Sequence, residues 1–227
     1  KDFYERFAKY AENQKTMTDA IFAIARKINK EVDVEYNTKR SKVDLSPLEA
    51  MAEHMATCTG LSMILTDAFR AVGIPSRLAG TAMWTNFKGN HTWSEVWVDK
   101  KWQFIEYYPD SLDKSWFVAD AGKADPENPL HWIYAVSYKP TNLYYYPSHM
   151  GHLMNMTDPN KLPEEMKSRF DRMKSFAGKT EPYIWGVNVT QRYLDFYRAS
   201  LESMKLAENE TMANVVVFQD KTSSRSE

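Results

Sequence analysis

The chain has 227 residues, 43% of them hydrophobic and 14% aromatic, enough for one large domain or a core with an extension and too apolar for a disordered chain. A net charge of −1 and a pI near 6.6 supply no basic surface for nucleic acid or an anionic membrane. No apolar run approaches the roughly 18 residues that a membrane-spanning helix needs, and the single cysteine excludes an internal disulfide framework.

Residues 1–15 are polar and aromatic and suit a short helix. Thr18 is placed to cap a second helix running to about Glu31, with Ile21, Phe22, Ile24, Ala25 and Ile28 on its apolar face. Val32–Val43 is charged and reads as a loop with little regular structure. Ser46 then caps a short helix with Pro47 at its first position. The clearest helix follows, since Leu61, Leu65, Ala68, Phe69 and Val72 share one helical face, Gly73 stops it and Pro75 prevents continuation. Cys58 falls at its opposite end, in or just before the first turn.

Three strands are expected next, over Ser76–Trp84, Thr92–Val98 and Trp102–Tyr107. Asp99-Lys100-Lys101 is a hairpin-length connection, so the last two should be antiparallel neighbours. His131–Lys139 is a further candidate strand. Leu143–Met156 is irregular and rich in Tyr and Met, Pro163–Phe176 has helical spacing in Met166, Phe170 and Met173, Gln191–Leu206 reads as a helix, and Asn214–Gln219 as a terminal strand. We therefore expect a core with N-terminal helices over residues 1–140, a helical or irregular extension packed on it over 141–220, and a tail over 221–227.

Chemistry concentrates at three of these boundaries. A thiol has a pKa near 8.5, and a helix N-terminus or a neighbouring imidazolium lowers it. Cys58 meets the first condition and His91, at a strand start, is placed to meet the second. Glu106 ends the next strand, with Trp102 and Phe104 on the same face by alternation. A carboxylate among such neighbours needs a partner, and an imidazole N–H is a natural one. Each residue alone also has a plain structural reading: a small buried hydrophobe for Cys58, a satisfied polar residue for His91, a solvent-facing strand end for Glu106. Asp110 competes with Glu106, although it lies past Pro109 in a loop.

Taken together, Cys58-Thr59-Gly60-Leu61-Ser62, Arg70-Ala71-Val72-Gly73-Ile74-Pro75-Ser76-Arg77, His91-Thr92-Trp93-Ser94-Glu95-Val96 and Trp102-Gln103-Phe104-Ile105-Glu106 resemble the transglutaminase-like core over roughly residues 45–110. That superfamily includes transglutaminases, peptide N-glycanases and many microbial peptidase-like proteins. The resemblance implies an α+β, papain-like fold, with the cysteine-bearing helix packed on an antiparallel sheet and extra helices around it. It also implies Cys58 as nucleophile, His91 as general base and acid, and Glu106 at a position where the family usually carries Asp. Ala56-Thr57 replaces the glycine common before the thiol. The backbone N–H of Cys58 is expected to form half of the oxyanion hole, with His54 as the candidate for the other half.

Other features have blander explanations. His149, His152, Met150, Met154 and Met156 could suggest a soft-metal site, but a Met-rich loop packed on the core explains them better, and we expect neither metal nor cofactor. Glu95 is expected to pair with Arg77. Thr59, Trp93, Tyr107 and Tyr108 are candidate substrate contacts, with Trp93 and Trp102 more consistent with packing and Tyr144-Tyr145-Tyr146 a further groove candidate. The sequons at Asn90, Asn155, Asn188 and Asn209 are short enough to arise by chance, and Asn90 abuts His91. The chain starts at Lys1 without an initiator Met, so we expect a processed chain or an expressed segment, lacking any signal peptide it once had. The compartment stays open, the sequons pointing weakly towards the periplasm or the exterior.

The expected function is thiol-dependent amide hydrolysis or acyl transfer on a peptide, protein or glycopeptide, without nucleic acid or membrane insertion. Nothing resembles the calcium sites or accessory β-domains of crosslinking transglutaminases, which favours hydrolysis. The alternative is a catalytically weak or inactive module that binds protein or glycan.

Overall fold

In the computed structural model, which describes residues 1–42, 45–145 and 184–203 with Asn160, Glu164 and Lys167, the chain opens with three helices rather than two. They are α1 (Asp2–Ala11), α2 (Met17–Ala25) and α3 (Ile28–Val32). Thr16, not Thr18, caps α2, its hydroxyl accepting the Asp19 N–H at 3.0 Å. The expected continuous helix breaks after Ala25 because the Lys27 N–H bonds the Ile24 carbonyl three residues back, which tightens and ends the turn. Asp33, in the left-handed region at φ 52°, stops α3.

The segment expected to be irregular instead carries a short strand, β1 (Glu35–Tyr36). After α4 (Pro47–Glu53), whose Ser46–Glu49 capping box matches its sequence signature, β2 (Met55–Ala56) pairs with β1 in parallel. Two residues on, α5 (Cys58–Ala71) begins, and it ends at Gly73 with φ +84°. Leu61, Leu65, Ala68 and Phe69 are buried in one cluster with Phe7, Ile21, Ile24 and Ile28 of the N-terminal helices, while Val72 stays half-buried at its edge.

Three strands follow in the spatial order β5-β4-β3: β3 (Ser76–Thr81), β4 (His91–Val98) and β5 (Lys101–Ile105). β3 stops short of Trp84 because the chain turns there, the Trp84 N–H donating to the Gly89 carbonyl at 2.8 Å. β4 and β5 are antiparallel, with Val98 opposite Lys101 and Ser94 opposite Ile105. The connection is therefore two residues, Asp99 and Lys100, with φ of 53° and 62°; positive φ at both positions is the turn whose twist matches a hairpin. The free edge of β5 is closed by Asp113, which accepts the Phe104 N–H at 2.9 Å and donates its own N–H to the Phe104 carbonyl.

Arg77 and Glu95 form the expected pair: Nε donates to Oε2 at 2.8 Å, and the guanidinium lies 4.0 Å from the centroid of the Trp102 ring. Both residues are buried.

The described residues divide into two compact units, Lys1–Ala79 with His91–Ser115, and Gly80–Asn90 with the residues from Trp116 onward. Position 140 falls inside the second. That unit holds α6 (Val118–Ala121), β6 (Ile133–Val136) antiparallel to β7 (Gly186–Asn188), and α7 (Thr190–Ser203). Trp84 stacks on Phe117 at 6.2 Å between centroids, and Gly122 lies so close to α7 that a Cβ there would sit 2.0 Å from a Tyr197 ring carbon. The strand expected over 131–139 is shorter, since Pro129–His131 forms a 3₁₀ turn. The helix expected over 163–176, apart from Glu164 and Lys167, the strand over 214–219, the tail and the His149–Met156 cluster lie outside the described residues.

Breaking the buried ion pair from one side leaves a charge without compensation, so Glu95→Gln should destabilise the chain by about 3–5 kcal/mol in urea unfolding. The double change Arg77→Met/Glu95→Leu should cost far less; equal losses for both variants would show that packing, not charge, sets the cost.

Candidate active site

The chain around Cys58 is held from both sides. Before it, the Asn37 N–H donates to the Ala56 carbonyl at 2.9 Å, extending the β1–β2 ladder to the residue preceding Thr57. After it, a Cβ on Gly60 would lie 2.8 Å from the Ala56 Cβ, so the first turn of α5 rests on β2 at a distance only glycine permits. Thr57 is the N-cap, yet its side chain caps nothing. The first N–H groups of α5, that of Cys58 among them, are thus not consumed by a capping hydroxyl, in contrast to α2 and α4.

His91 opens β4 and Glu106 lies one residue beyond the end of β5. With Ser94 opposite Ile105, extending the antiparallel register sets Glu106 against Trp93, and Trp93 shares its face of β4 with His91. The carboxylate therefore arrives beside the imidazole: His91 Nε2 and Glu106 Oε1 are 2.6 Å apart. This engages one ring nitrogen, and the imidazole is also hydrogen-bonded to the Cys58 thiol. The Trp93 ring, fully buried, lies 5.7 Å from the imidazole at 30°, and backs it.

Burial alone would raise the Cys58 thiol, but the hydrogen bond and charge of His91, with the Thr92 N–H, outweigh it and hold the thiol below its ordinary value. Burial would likewise lower His91. Against it, the Glu106 charge, the Cys58 hydrogen bond and the Glu106 hydrogen bond push the imidazole up to about 9. Both shifts favour a thiolate–imidazolium pair at neutral pH.

The remaining candidates separate. Thr59 stays at the site, its Oγ1 3.1 Å from that of Thr92. His54 is turned away from an oxyanion role: it is exposed, and its Nδ1 faces the Asp33 carbonyl at 3.1 Å and the Asp33 carboxylate at 3.0 Å. Tyr107 is no groove residue. It is buried in the core, donates to the Val34 carbonyl at 2.9 Å, and has a phenol pushed well up by that burial. Tyr108 is 51% exposed but not loose, since its hydroxyl accepts the Tyr36 N–H at 3.2 Å. Asp110 is exposed and paired with Lys114, away from His91. Of the sequons, Asn90 is half-buried, Asn188 is exposed and accepts the Thr190 N–H at 2.9 Å, and Asn155 and Asn209 lie outside the described residues.

Residues 5–107 match the model of the transglutaminase-like superfamily. This stretch, just under half of the chain, is similar to a transglutaminase-like domain. The match begins at Glu5, within α1, and takes in Cys58, His91 and Glu106. This assigns the domain to a thiol-enzyme superfamily. Solved structures similar to the chain include a TGase, 18% identical over 47% of this chain and 30% of that one, with a TM-score of 0.38. A second is a candidate cysteine protease from Cytophaga hutchinsonii, 19% identical over 47% and 37% of the two chains, with a TM-score of 0.40. A third is a Rad4–Rad23 complex bound to a 6-4 photoproduct UV lesion, 12% identical over 89% and 46%, with a TM-score of 0.29. The chain spans less than half the length of each of these structures. No curated protein matches it in sequence.

Two contributors were not foreseen from the sequence. The Thr92 N–H directed at the sulfur had a signal only in its adjacency to His91, and Asp113, which fixes the strand end leading to Glu106, had none.

Cys58 should react with iodoacetamide at a rate already near its plateau at about pH 6, and the rate should change again as the imidazolium loses its proton near pH 9. His91→Ala should remove the low-pH reactivity by raising the thiol. A wild-type thiol that titrates only near pH 8.5 would show that no such pair exists.

Proposed function

We propose that the domain is a thiol-dependent amide hydrolase acting on peptide or glycopeptide substrates through Cys58, His91 and Glu106. The observation that carries this reading is the 2.6 Å contact between His91 Nε2 and Glu106 Oε1, at an imidazole hydrogen-bonded to the thiol. Replacing the family's Asp by Glu motivates the inactive alternative; the closeness of this contact favours the active one.

In the proposed reaction the Cys58 Sγ, its proton held by His91, attacks the carbonyl carbon of the amide. The new oxyanion accepts the Cys58 N–H and a neighbouring uncapped N–H of α5. The C–N bond breaks as the His91 proton passes to the leaving amine, which leaves a thioester on Cys58. His91 then takes a proton from water, the hydroxide attacks the thioester, and the C–S bond breaks to return the thiol and release a carboxylic acid. Glu106 holds the ring by one nitrogen throughout, the task of an orienting carboxylate. The exposed face of Tyr108, two residues past Glu106, offers an apolar wall for the acyl side of the substrate.

A screen of peptides and glycopeptides, with and without an added primary amine, should yield carboxylic acid product in both cases and none with Cys58→Ala. Glu106→Gln should lower the rate and bring the upper pH limb down from about 9, because the charge that raises His91 is lost. Transfer to the amine in place of acid release would replace hydrolysis by crosslinking; no product from any substrate, with a thiol inert at pH 6, would return the domain to the binding alternative.

A further inference from the structure

Where α5 crosses the sheet, its contact is built from hydroxyls. Ser62, Thr66, Ser76, Thr92 and Ser94 are all buried there. Thr59 Oγ1 and Thr92 Oγ1 lie 3.1 Å apart, and Ser62 Oγ donates to the Thr92 carbonyl at 3.0 Å. Further along, Ser94 Oγ donates to the Ser62 carbonyl at 3.1 Å and lies 3.0 Å from Thr66 Oγ1, while Ser76 Oγ donates to the Thr66 carbonyl at 3.0 Å. Apolar packing is non-directional and tolerates sliding of a helix over a sheet. Hydrogen bonds do not, since they weaken steeply with distance and angle. The seam therefore fixes the register of the nucleophile's helix against the base's strand.

Its first two bonds do more. Thr92 follows His91, and α5 grips it at two points, by its side chain through Thr59 and by its carbonyl through Ser62. Its third polar group, the N–H, points at the Cys58 sulfur. With carbonyl and side chain held, that amide has little freedom to turn away. We propose that Thr59 and Ser62 are positioning residues of the thiol site, acting through Thr92 to hold its N–H against Sγ and so keep the sulfur anionic. The proposal rests on the thiol chemistry above, but the test can separate the two.

The test is the pH profile of Cys58 alkylation by iodoacetamide in the full chain, recorded beside the thermal midpoint. Thr59→Val and Ser62→Ala should each move the low-pH limb of the profile up by about half to one pH unit while keeping the plateau rate, which on the sloping part of that limb is a loss of about three- to tenfold. Thr59→Ser, which restores the hydroxyl, should return the profile to that of the wild type even if stability differs. Thr66→Val, in the same seam but farther along the helix, should lower the midpoint and leave the profile in place. Loss of stability without a shifted profile in Thr59→Val and Ser62→Ala would overturn the assignment, as would an equal shift in Thr66→Val. A wild-type thiol with no low-pH reactivity would instead defeat the proposed hydrolase.

Discussion

The pairing of Ser94 with Ile105 is the constraint on which the site depends. Side chains alternate along a strand, so a slip of one residue would carry Glu106 to the opposite face and leave His91 without its carboxylate. Several independent contacts oppose that slip. The two-residue turn at Asp99 and Lys100 sets the hairpin length, Asp113 closes the outer edge at Phe104, and Trp97 meets Trp102 edge to face at 5.5 Å across the pair. Arg77 bridges the two strands from below, bonded to Glu95 of one and stacked on Trp102 of the other.

Burial and charge act against each other throughout the cluster. Removing water disfavours the thiolate and the imidazolium separately, and each is recovered by the other's field and by the groups around them. Glutamate suits this geometry: the strand ends at Ile105, and the chain has begun to leave the sheet where the carboxylate is rooted. A longer side chain spans the remainder and still reaches the ring at 2.6 Å.

The long helix α5, the hairpin and the order of Cys58, His91 and Glu106 could be read from the sequence because their signals are local: helical periodicity over Leu61–Phe69, a stop at Gly73, alternation on either side of Asp99. The β1–β2 ladder was not readable, since each strand is two residues long and the partners are distant in sequence. Nor was the burial of Tyr107, whose neighbour Tyr108 has the same composition and the opposite environment. The seam of hydroxyls escaped for a related reason: Ser and Thr inside a helix and a strand carry no pattern that distinguishes a buried bond from an exposed one. The family relation located the three residues, while the contacts that orient them emerged only from the packing.

The idle hydroxyl of Thr57 has a bearing on how this protein could be made more robust. A capping residue at a bare helix start is among the simplest stabilising substitutions, commonly worth about 0.5–2 kcal/mol. Here the beneficiary would be the helix that begins with Cys58. An aspartate at position 57 would draw on the first-turn N–H groups that the proposed oxyanion would use, and would set a negative charge beside a sulfur whose surroundings favour the thiolate. The uncapped start of α5 is thus a place where stability and the proposed chemistry would compete for the same few N–H groups.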